Sequence, residues 1–252
     1  MSLDKFIPCR KCKHQEGSEI PDGYIKIEGG LKECDCHKKW VHDKRLFIDY
    51  KKANFNISFF ENSFDDYVGI KSISVIERLK NYIKCFENNE TKEKAIASII
   101  YFYGNNGTQK TSVANYIGHE LLNHKIKVHY ILMKELIDKL WMSQRDEEAK
   151  NFIERISNTD VLIIDESFSK DKIHLWASGN QLGYIDEFIR ERVNKNKGII
   201  FISNTPIEKI EEQGFSHSIQ DLVLREVTKR KTNLIFEDNY MDSVGDIPDV
   251  LF

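Results

Sequence analysis

The sequence predicts an α/β protein, a parallel sheet covered by helices on both faces, with a small zinc-binding module ahead of it. Three observations predict it. Apolar runs of strand length at 97–103, 127–133, 160–165 and 198–204 alternate with segments of helical period, as in a doubly wound sheet. The stretch Tyr101-Phe-Tyr-Gly-Asn-Asn-Gly-Thr-Gln-Lys-Thr111 joins one such run to a helical pattern. It does so through glycines, a lysine and a hydroxyl at the spacing of a phosphate-binding loop. Four of the five cysteines lie in the first 36 residues, in two close pairs.

The 252 residues have room for one full α/β domain and a small appendage. With 37 basic and 40 acidic residues the formal charge is −3, so overall charge announces no nucleic-acid partner and any such surface is local. No apolar run approaches the roughly 20 residues of a membrane span. Met1-Ser-Leu-Asp-Lys5 lacks a secretory apolar core, so the expected setting is cytoplasmic, without a membrane partner.

Residues 1–45 carry Cys9-Arg-Lys-Cys12 and Cys34-Asp-Cys36 around a glycine-rich segment in which Tyr24–Ile27 alternates like a strand. Without an export signal, paired cysteines favour a metal site over disulfides, and four thiolates suit one tetrahedral zinc ion. A module this short has little core, so ligation would contribute most of its folding energy. The second pair has one intervening residue instead of two, which leaves His14 or His37 open as a substitute for one thiolate. The plainer alternative is reduced, buried cysteines without metal. Lone Cys85 reads as a core residue. From about 38 to 58, basic residues interleave with Trp40, Phe47 and Tyr50 in a connecting helix, of which 46–58 forms the linker. Such a pattern can touch single-stranded nucleic acid, but more often it is a solvated helix face with an apolar seam.

The main domain spans 59–237. The segment Phe59–Gly69 leads into a helical pattern with Ile73, Ile76, Leu79, Ile83 and Phe86, and 88–94 reads as a polar loop. After the strand at 97–103 and the helix at 111–122 come a strand at 127–133, a helix at 135–142 and a charged helix at 145–155. The next strand, from Asp160, is apolar throughout, which places it centrally in a parallel sheet. A loop rich in Lys, Ser and Gly follows, then helix 184–193, strand 198–204, helix 218–229 and a short strand at 233–236. The tail, 238–252, is acidic and ends Ile247-Pro-Asp-Val-Leu-Phe252.

The chemistry of the loop needs these residue types in this order. Gly104 and Gly107 let the backbone N–H groups from Asn105 through Thr108 and Gln109 turn toward phosphate oxygens. The helix opening at Lys110, Thr111 and Ser112 adds positive potential. Lys110 would reach the β and γ phosphates of a nucleotide, and the Thr111 hydroxyl would hold magnesium. Gln109 stands where glycine is usual. Its side chain either crowds the phosphates or points outward, and fast hydrolysis depends on which. Asp165, closing the apolar strand, can hold magnesium through water, and Glu166 can polarise the attacking water. Asn204 closes the next strand, where it could orient that water or sense the γ-phosphate; alone, an Asn before Thr-Pro is simply a good turn former.

On these residues the chain resembles the AAA+ ATPases over about residues 59–237, and within them the DnaC-type and DnaI-like helicase loaders and the related IstB transposition ATPases. The resemblance implies an AAA+ P-loop core. It assigns Gly104-x-x-Gly107-x-x-Lys110-Thr111 to Walker A, Asp165-Glu166 to Walker B and Asn204 to sensor 1. Phe60–Gly69 looks like the segment that frames the adenine, which places the base near Tyr67 and Val68. Leu222–Val227 looks like the segment that presents an arginine finger to the adjoining subunit, with Arg225 first and Arg192 and Arg230 as competitors. No arginine lies in Phe236–Asp242, where the family often has a second sensor.

The function implied by the resemblance is an ATP-dependent helicase loader in DNA replication. Its cofactors would be ATP, magnesium and zinc, with zinc on Cys9, Cys12, Cys34 and Cys36 and magnesium on Thr111 and Asp165. Its partners would be a DnaB-type hexameric helicase, gripped by the N-terminal module, single-stranded DNA, and further copies of the chain through the ATPase domain. Lys134, Lys139 and Arg145 are candidates for DNA contact, or else a solvated helix face. Two alternatives stay open: an IstB-like helper that coats duplex DNA, and a nucleotide-gated zinc adaptor in which Gln109 disables turnover. The tail is either a docking peptide for a replication protein or a frayed terminus.

Overall fold

The computed structural model describes residue 3 and residues 5–14, 18–69, 71–169 and 179–238. It divides into two compact units, Met1–Lys52 and Ala53–Phe252. In the first, β1 (Tyr24–Ile27) and β2 (Gly30–Glu33) form an antiparallel hairpin with Tyr24 opposite Glu33 and Ile27 opposite Gly30. Gly29 closes the turn at φ 96°, a conformation that costs glycine nothing. Helix α1 (Asp35–Lys52) follows, with Asp35 in its first turn and Lys51 and Lys52 in its last, charges that complement the helix dipole.

This helix differs from the one read at 38–58: it starts inside the second cysteine pair and stops at Lys52. The reason is local. Asn54 takes a left-handed backbone (φ 68°), and the Asn56 side chain caps a separate one-turn helix, Ile57–Phe59. Among the described apolar residues of this unit only Cys12, Cys34, Leu46 and Tyr50 are buried, a core too small to hold a fold by itself.

The second unit opens with α2 (Ile73–Lys84) and α3 (Asn89–Ile96). The stretch read as a polar loop at 88–94 is therefore mostly helical. The Asn88 side chain accepts from the Glu90 N–H and caps it, while only Ala95 among its residues is buried, so no apolar period betrays it. Then come β3 (Ile99–Gly104), α4 (Lys110–Asn123), β4 (Val128–Leu132), α5 (Met133–Met142), α6 (Glu147–Ser157) and β5 (Val161–Asp165). The chain continues through α7 (Gly179–Asn194), β6 (Gly198–Ser203), α8 (His217–Arg230) and β7 (Asn233–Phe236).

The five strands make one parallel sheet in the order β4-β5-β6-β3-β7. All five residues of β5 and all six of β6 are buried, as strands covered on both faces must be. Each fully buried Ile or Leu there contributes roughly 1.5–3 kcal/mol. The register decides the site. Tyr103 lies opposite Ser203, Leu132 opposite Asp165 and Gly104 opposite Phe236. The carboxyl ends of β3, β5 and β6 thus share one edge of the sheet, with β6 inserted between the other two.

Asp238 is not part of a solvated tail. It is buried, and its carboxylate accepts from the N–H groups of Lys71 (2.9 Å) and Ser72 (2.6 Å), which ties the end of the sheet to the start of α2. Residues 239–252 of the acidic tail and 170–178 of the loop after β5 lie outside the described residues. Among the described residues no helix is long and apolar enough to cross a membrane.

Candidate functional site

A cleft of about 300 Å³ opens at that sheet edge, lined by Asn106 to Ser112, Asp165, Glu166, Ser169 and Ile202 to Asn204. The loop enters it from Gly104, where a Cβ would lie 2.4 Å from the Phe236 carbonyl oxygen and 2.9 Å from Thr108 Oγ1. Backbone cannot retreat from such a contact, so only glycine fits. Gly107 turns the loop at φ 79°. The Lys110 ammonium folds back to cap it, donating to the carbonyls of Gly104 (2.8 Å) and Asn105 (2.7 Å) and to Thr108 Oγ1 (3.0 Å). Burial lowers its pKa to about 8, with Asp165 opposing the shift, so at neutral pH it is still mostly charged.

Gln109 resolves the choice left by the sequence. It sits at φ 60°, ψ 14°, the left-handed region that glycine would occupy freely. Its side chain reaches out to the backbone of Val68, with Nε2 donating to the Val68 carbonyl at 2.5 Å and Oε1 accepting its N–H at 3.4 Å. The amide therefore leaves the space over the loop free and tethers the 67–68 segment to it. Tyr67 in turn donates to Asp238 at 3.3 Å.

Beneath the loop, Thr111 Oγ1 donates to Asp165 Oδ2 at 2.8 Å. The same oxygen accepts the Tyr130 hydroxyl at 2.6 Å, and Oδ1 accepts the Glu166 N–H at 2.6 Å. Burial and the Asp165 charge push the Tyr130 phenol far above its ordinary value, so it stays a donor. Sequence reasoning missed Tyr130. The available signal was weak: a residue with a polar tip within the otherwise apolar end of a strand.

Glu166 (φ 53°) and Phe168 (φ 56°) both take left-handed backbones, each costing on the order of 1 kcal/mol or more. Neighbouring β6 holds the turn in place. The Ser167 N–H donates to the Ile202 carbonyl (2.8 Å), Ser203 Oγ donates to the Ser167 carbonyl (2.6 Å), and Thr205 Oγ1 donates to that of Phe168 (2.9 Å). These bonds hold the strained turn and keep Glu166 on the cleft wall. Across from it Asn204 Nδ2 donates to Asn106 Oδ1 at 2.6 Å, joining the strand end to the loop.

The arginines separate clearly. Arg192 is fully buried and donates to the carbonyls of Ile156 (2.9 Å), Thr159 (3.2 Å) and Gly198 (2.9 Å), so it is a structural residue with no reach to a neighbour. Arg230 donates to the Lys94 carbonyl at 3.0 Å. Arg225 is exposed on α8, where its Nε donates to Glu226 Oε1 at 3.2 Å. Of the candidate DNA contacts, Lys139 lies over the Phe152 ring (5.5 Å) and Arg145 over that of Trp141 (4.6 Å), while Lys134 is exposed.

In the first unit the ligand atoms of Cys9, Cys12, Cys34 and Cys36 all lie within 4.8 Å of one another. The sulfur separations run from 3.2 Å (Cys12–Cys36) and 3.5 Å (Cys34–Cys36) to 3.7 Å (Cys9–Cys12) and 3.8 Å (Cys9–Cys34). Four sulfurs at about 2.3 Å from a tetrahedral zinc stand about 3.8 Å apart, so the donor set fits that ion. The Lys11 backbone, by hydrogen bonding, holds the Cys9 thiol down at about 6, whereas burial pushes those of Cys12 and Cys36 up. Neither histidine competes for the site. His14 Nε2 is 2.7 Å from the Tyr24 carbonyl, and His37 Nδ1 is 2.6 Å from Glu33.

The family described as "Bacterial DnaA ATPAse domain" matches residues 63–219, more than half of the chain. A curated relative, the chromosomal replication initiator protein DnaA of Acholeplasma laidlawii, is 25% identical over 174 residues, covering 68% of this chain and 35% of that protein. The chain thus spans about a third of the length of the curated relatives it matches. Among solved structures, DnaI aligns with a TM-score of 0.55 at 17% identity, over 73% of this chain and 94% of that one. The DnaC helicase loader aligns with a TM-score of 0.54 at 18% identity, over 71% of this chain and 98% of that one. These likenesses establish the fold as that of an AAA+ protein.

Proposed function

This chain belongs to the bacterial DnaA ATPase-domain family, and from that premise we propose that it is an ATP-dependent helicase loader of DNA replication. It would bind a hexameric replicative helicase of the DnaB type and assist its placement on single-stranded DNA. The observation that carries the nucleotide reading is the 2.8 Å contact of Thr111 with Asp165 beneath a loop capped by Lys110. A hydroxyl and a carboxylate from separate segments, a buried ammonium and a helix N-terminus form the donor set that a magnesium triphosphate requires.

In this reading Lys110 neutralises the β and γ phosphates, and their charge raises its pKa back toward the ordinary lysine value. Thr111 and Asp165 hold magnesium, which when bound neutralises the phosphate oxygens. Glu166 takes the proton of the attacking water as oxygen bonds to the γ-phosphorus and the bond to the β-bridging oxygen breaks, leaving ADP and phosphate. Asn204, linked to the loop through Asn106, orients that water or senses the γ-phosphate. Tyr67 and Val68, tethered through Gln109, flank the base. Arg225, exposed on α8, completes the site of an adjoining copy, so the active form is an assembly. The four-thiol unit supports a loader over an isolated ATPase, because it supplies a separate, zinc-held module for gripping the helicase.

The adaptor reading needs Gln109 to block the phosphates. Its side chain bonds to Val68 instead, which supports turnover. Copurification of the chain with candidate hexameric helicases in ATP tests the proposal. A stable complex that dissociates on hydrolysis is expected, and retention in the Glu166→Gln variant would mark hydrolysis as the release step. No association with any replicative helicase in ATP, together with ATP-dependent filaments on duplex DNA, would instead select the transposition-helper function.

A further inference from the structure

Asp165 Oδ2 accepts two hydroxyl donors, Thr111 at 2.8 Å and Tyr130 at 2.6 Å, while the Glu166 N–H holds Oδ1. The second hydroxyl comes from β4, the strand beside β5, where Tyr130 lies opposite Ile163, two residues short of the carboxylate. We propose that Tyr130 is a positioning residue for magnesium, holding the Asp165 carboxylate against Thr111, and that residues 53–56 brace both hydroxyl donors. The inference rests on the nucleotide-binding reading of the cleft.

The bracing is visible bond by bond. The Tyr130 N–H donates to the Ala53 carbonyl at 2.9 Å, and Asn54 Nδ2 donates to the Tyr130 carbonyl at 3.0 Å. The start of the second unit thereby pairs with the outer edge of β4. Next to it Phe55 lies 5.7 Å from the Tyr130 ring and packs so closely on α4 that a Cβ on Gly118 would come within 2.0 Å of it. The Asn56 N–H donates to Asn115 Oδ1 at 3.2 Å, and Asn115 Nδ2 donates to the Thr111 carbonyl at 2.7 Å. Four consecutive residues thus fix the backbone of both side chains that grip one carboxylate oxygen.

Groups behind a metal ligand orient it, and their loss typically weakens metal binding by about tenfold or more. Tyr130→Phe removes one oxygen and keeps the ring. Asn54→Gly keeps the left-handed backbone and removes the amide. Both variants are made in the full chain, and binding of a non-hydrolysable ATP analogue is titrated against magnesium. Tyr130→Phe is expected to raise the half-saturating magnesium about tenfold. Asn54→Gly should raise it about threefold, the scale of one exposed hydrogen bond. In magnesium-free buffer both should keep the parent's nucleotide affinity, with the melting temperature lowered only by the few degrees that one hydrogen bond accounts for.

An unmoved magnesium titration in Tyr130→Phe overturns the positioning role. So does an equal loss of nucleotide affinity without magnesium, since that would make the residue merely structural. An unmoved titration in Asn54→Gly overturns the brace. If the parent binds no analogue at any magnesium concentration, the nucleotide reading itself fails, a result distinct from the others.

Discussion

Replacing Gln109 with Gly and, separately, with Ala separates strain from tether at the residue before Lys110. The left-handed backbone at φ 60° costs any residue but glycine about 1 kcal/mol. Against this stands the amide's bond to the Val68 carbonyl at 2.5 Å, exposed and therefore worth about 1 kcal/mol. The return bond at 3.4 Å is long and adds little. Ala keeps the strain and loses the bond, so it should be about 1 kcal/mol less stable than the parent, or about 2–4 °C in melting temperature for a unit of this size. Gly loses the bond and the strain together and should stay within about 0.5 kcal/mol of the parent. Both variants release Val68 from the loop, and both should bind an ATP analogue about three- to fivefold more weakly. Thermal unfolding and calorimetric titration measure the two effects. If Gln109→Gly instead binds the analogue tenfold more tightly and turns ATP over faster, the side chain crowds the phosphates and the reasoning is refuted.

Three further outcomes follow from the same geometry. Arg225→Ala and Lys110→Ala chains should each be nearly inactive alone, yet an equal mixture should recover up to about a quarter of the parent ATPase rate, the share of interfaces that pair two intact halves; no recovery would remove Arg225 from the adjoining site. Elemental analysis should find one zinc per chain, and stripping it or making Cys12→Ser should abolish protease resistance in residues 1–52, because ligation contributes on the order of 10 kcal/mol to such a fold. An unaltered digestion pattern would count against the metal. Lys110, held at about 8 against an ordinary 10.5, carries a burial cost that is fully present below pH 8. Between those values the unfolded chain binds a proton the folded chain lacks, so nucleotide-free stability should rise with pH by at most about 3 kcal/mol. Urea unfolding of the parent and Lys110→Met across this window checks it, and the rise should vanish in the variant.

What the sequence could reveal depended on how local each cause was. Strands β3, β5 and β6 are buried on both faces, so their residues form unbroken apolar runs. Strand β2, Gly-Leu-Lys-Glu, is exposed at three of its four positions and carries no alternation to read. Helix α3 shows the same limit, being capped by Asn88 but buried only at Ala95. The insertion of β6 between β3 and β5 has no sequence signature, because strand order is set by pairing across the sheet. Within the cleft, Lys110, Thr111, Asp165 and Glu166 stand in short patterns with a chemical rationale. Tyr130 does not, since the carboxylate it meets lies 35 residues away on a neighbouring strand. The direction of Gln109 was equally hidden, being decided by Val68, 41 residues earlier. Asp238 looked like the first residue of an acidic tail because its acceptors' partners, the N–H groups of Lys71 and Ser72, lie more than 160 residues upstream.

Calorimetric titration of a non-hydrolysable ATP analogue with magnesium into the folded full chain, beside Lys110→Ala, tests the nucleotide site most directly. One site per chain is expected in the parent, with the heat lost in the variant. Absence of heat in the parent, or equal heat in both proteins, would contradict the assignment of the cleft.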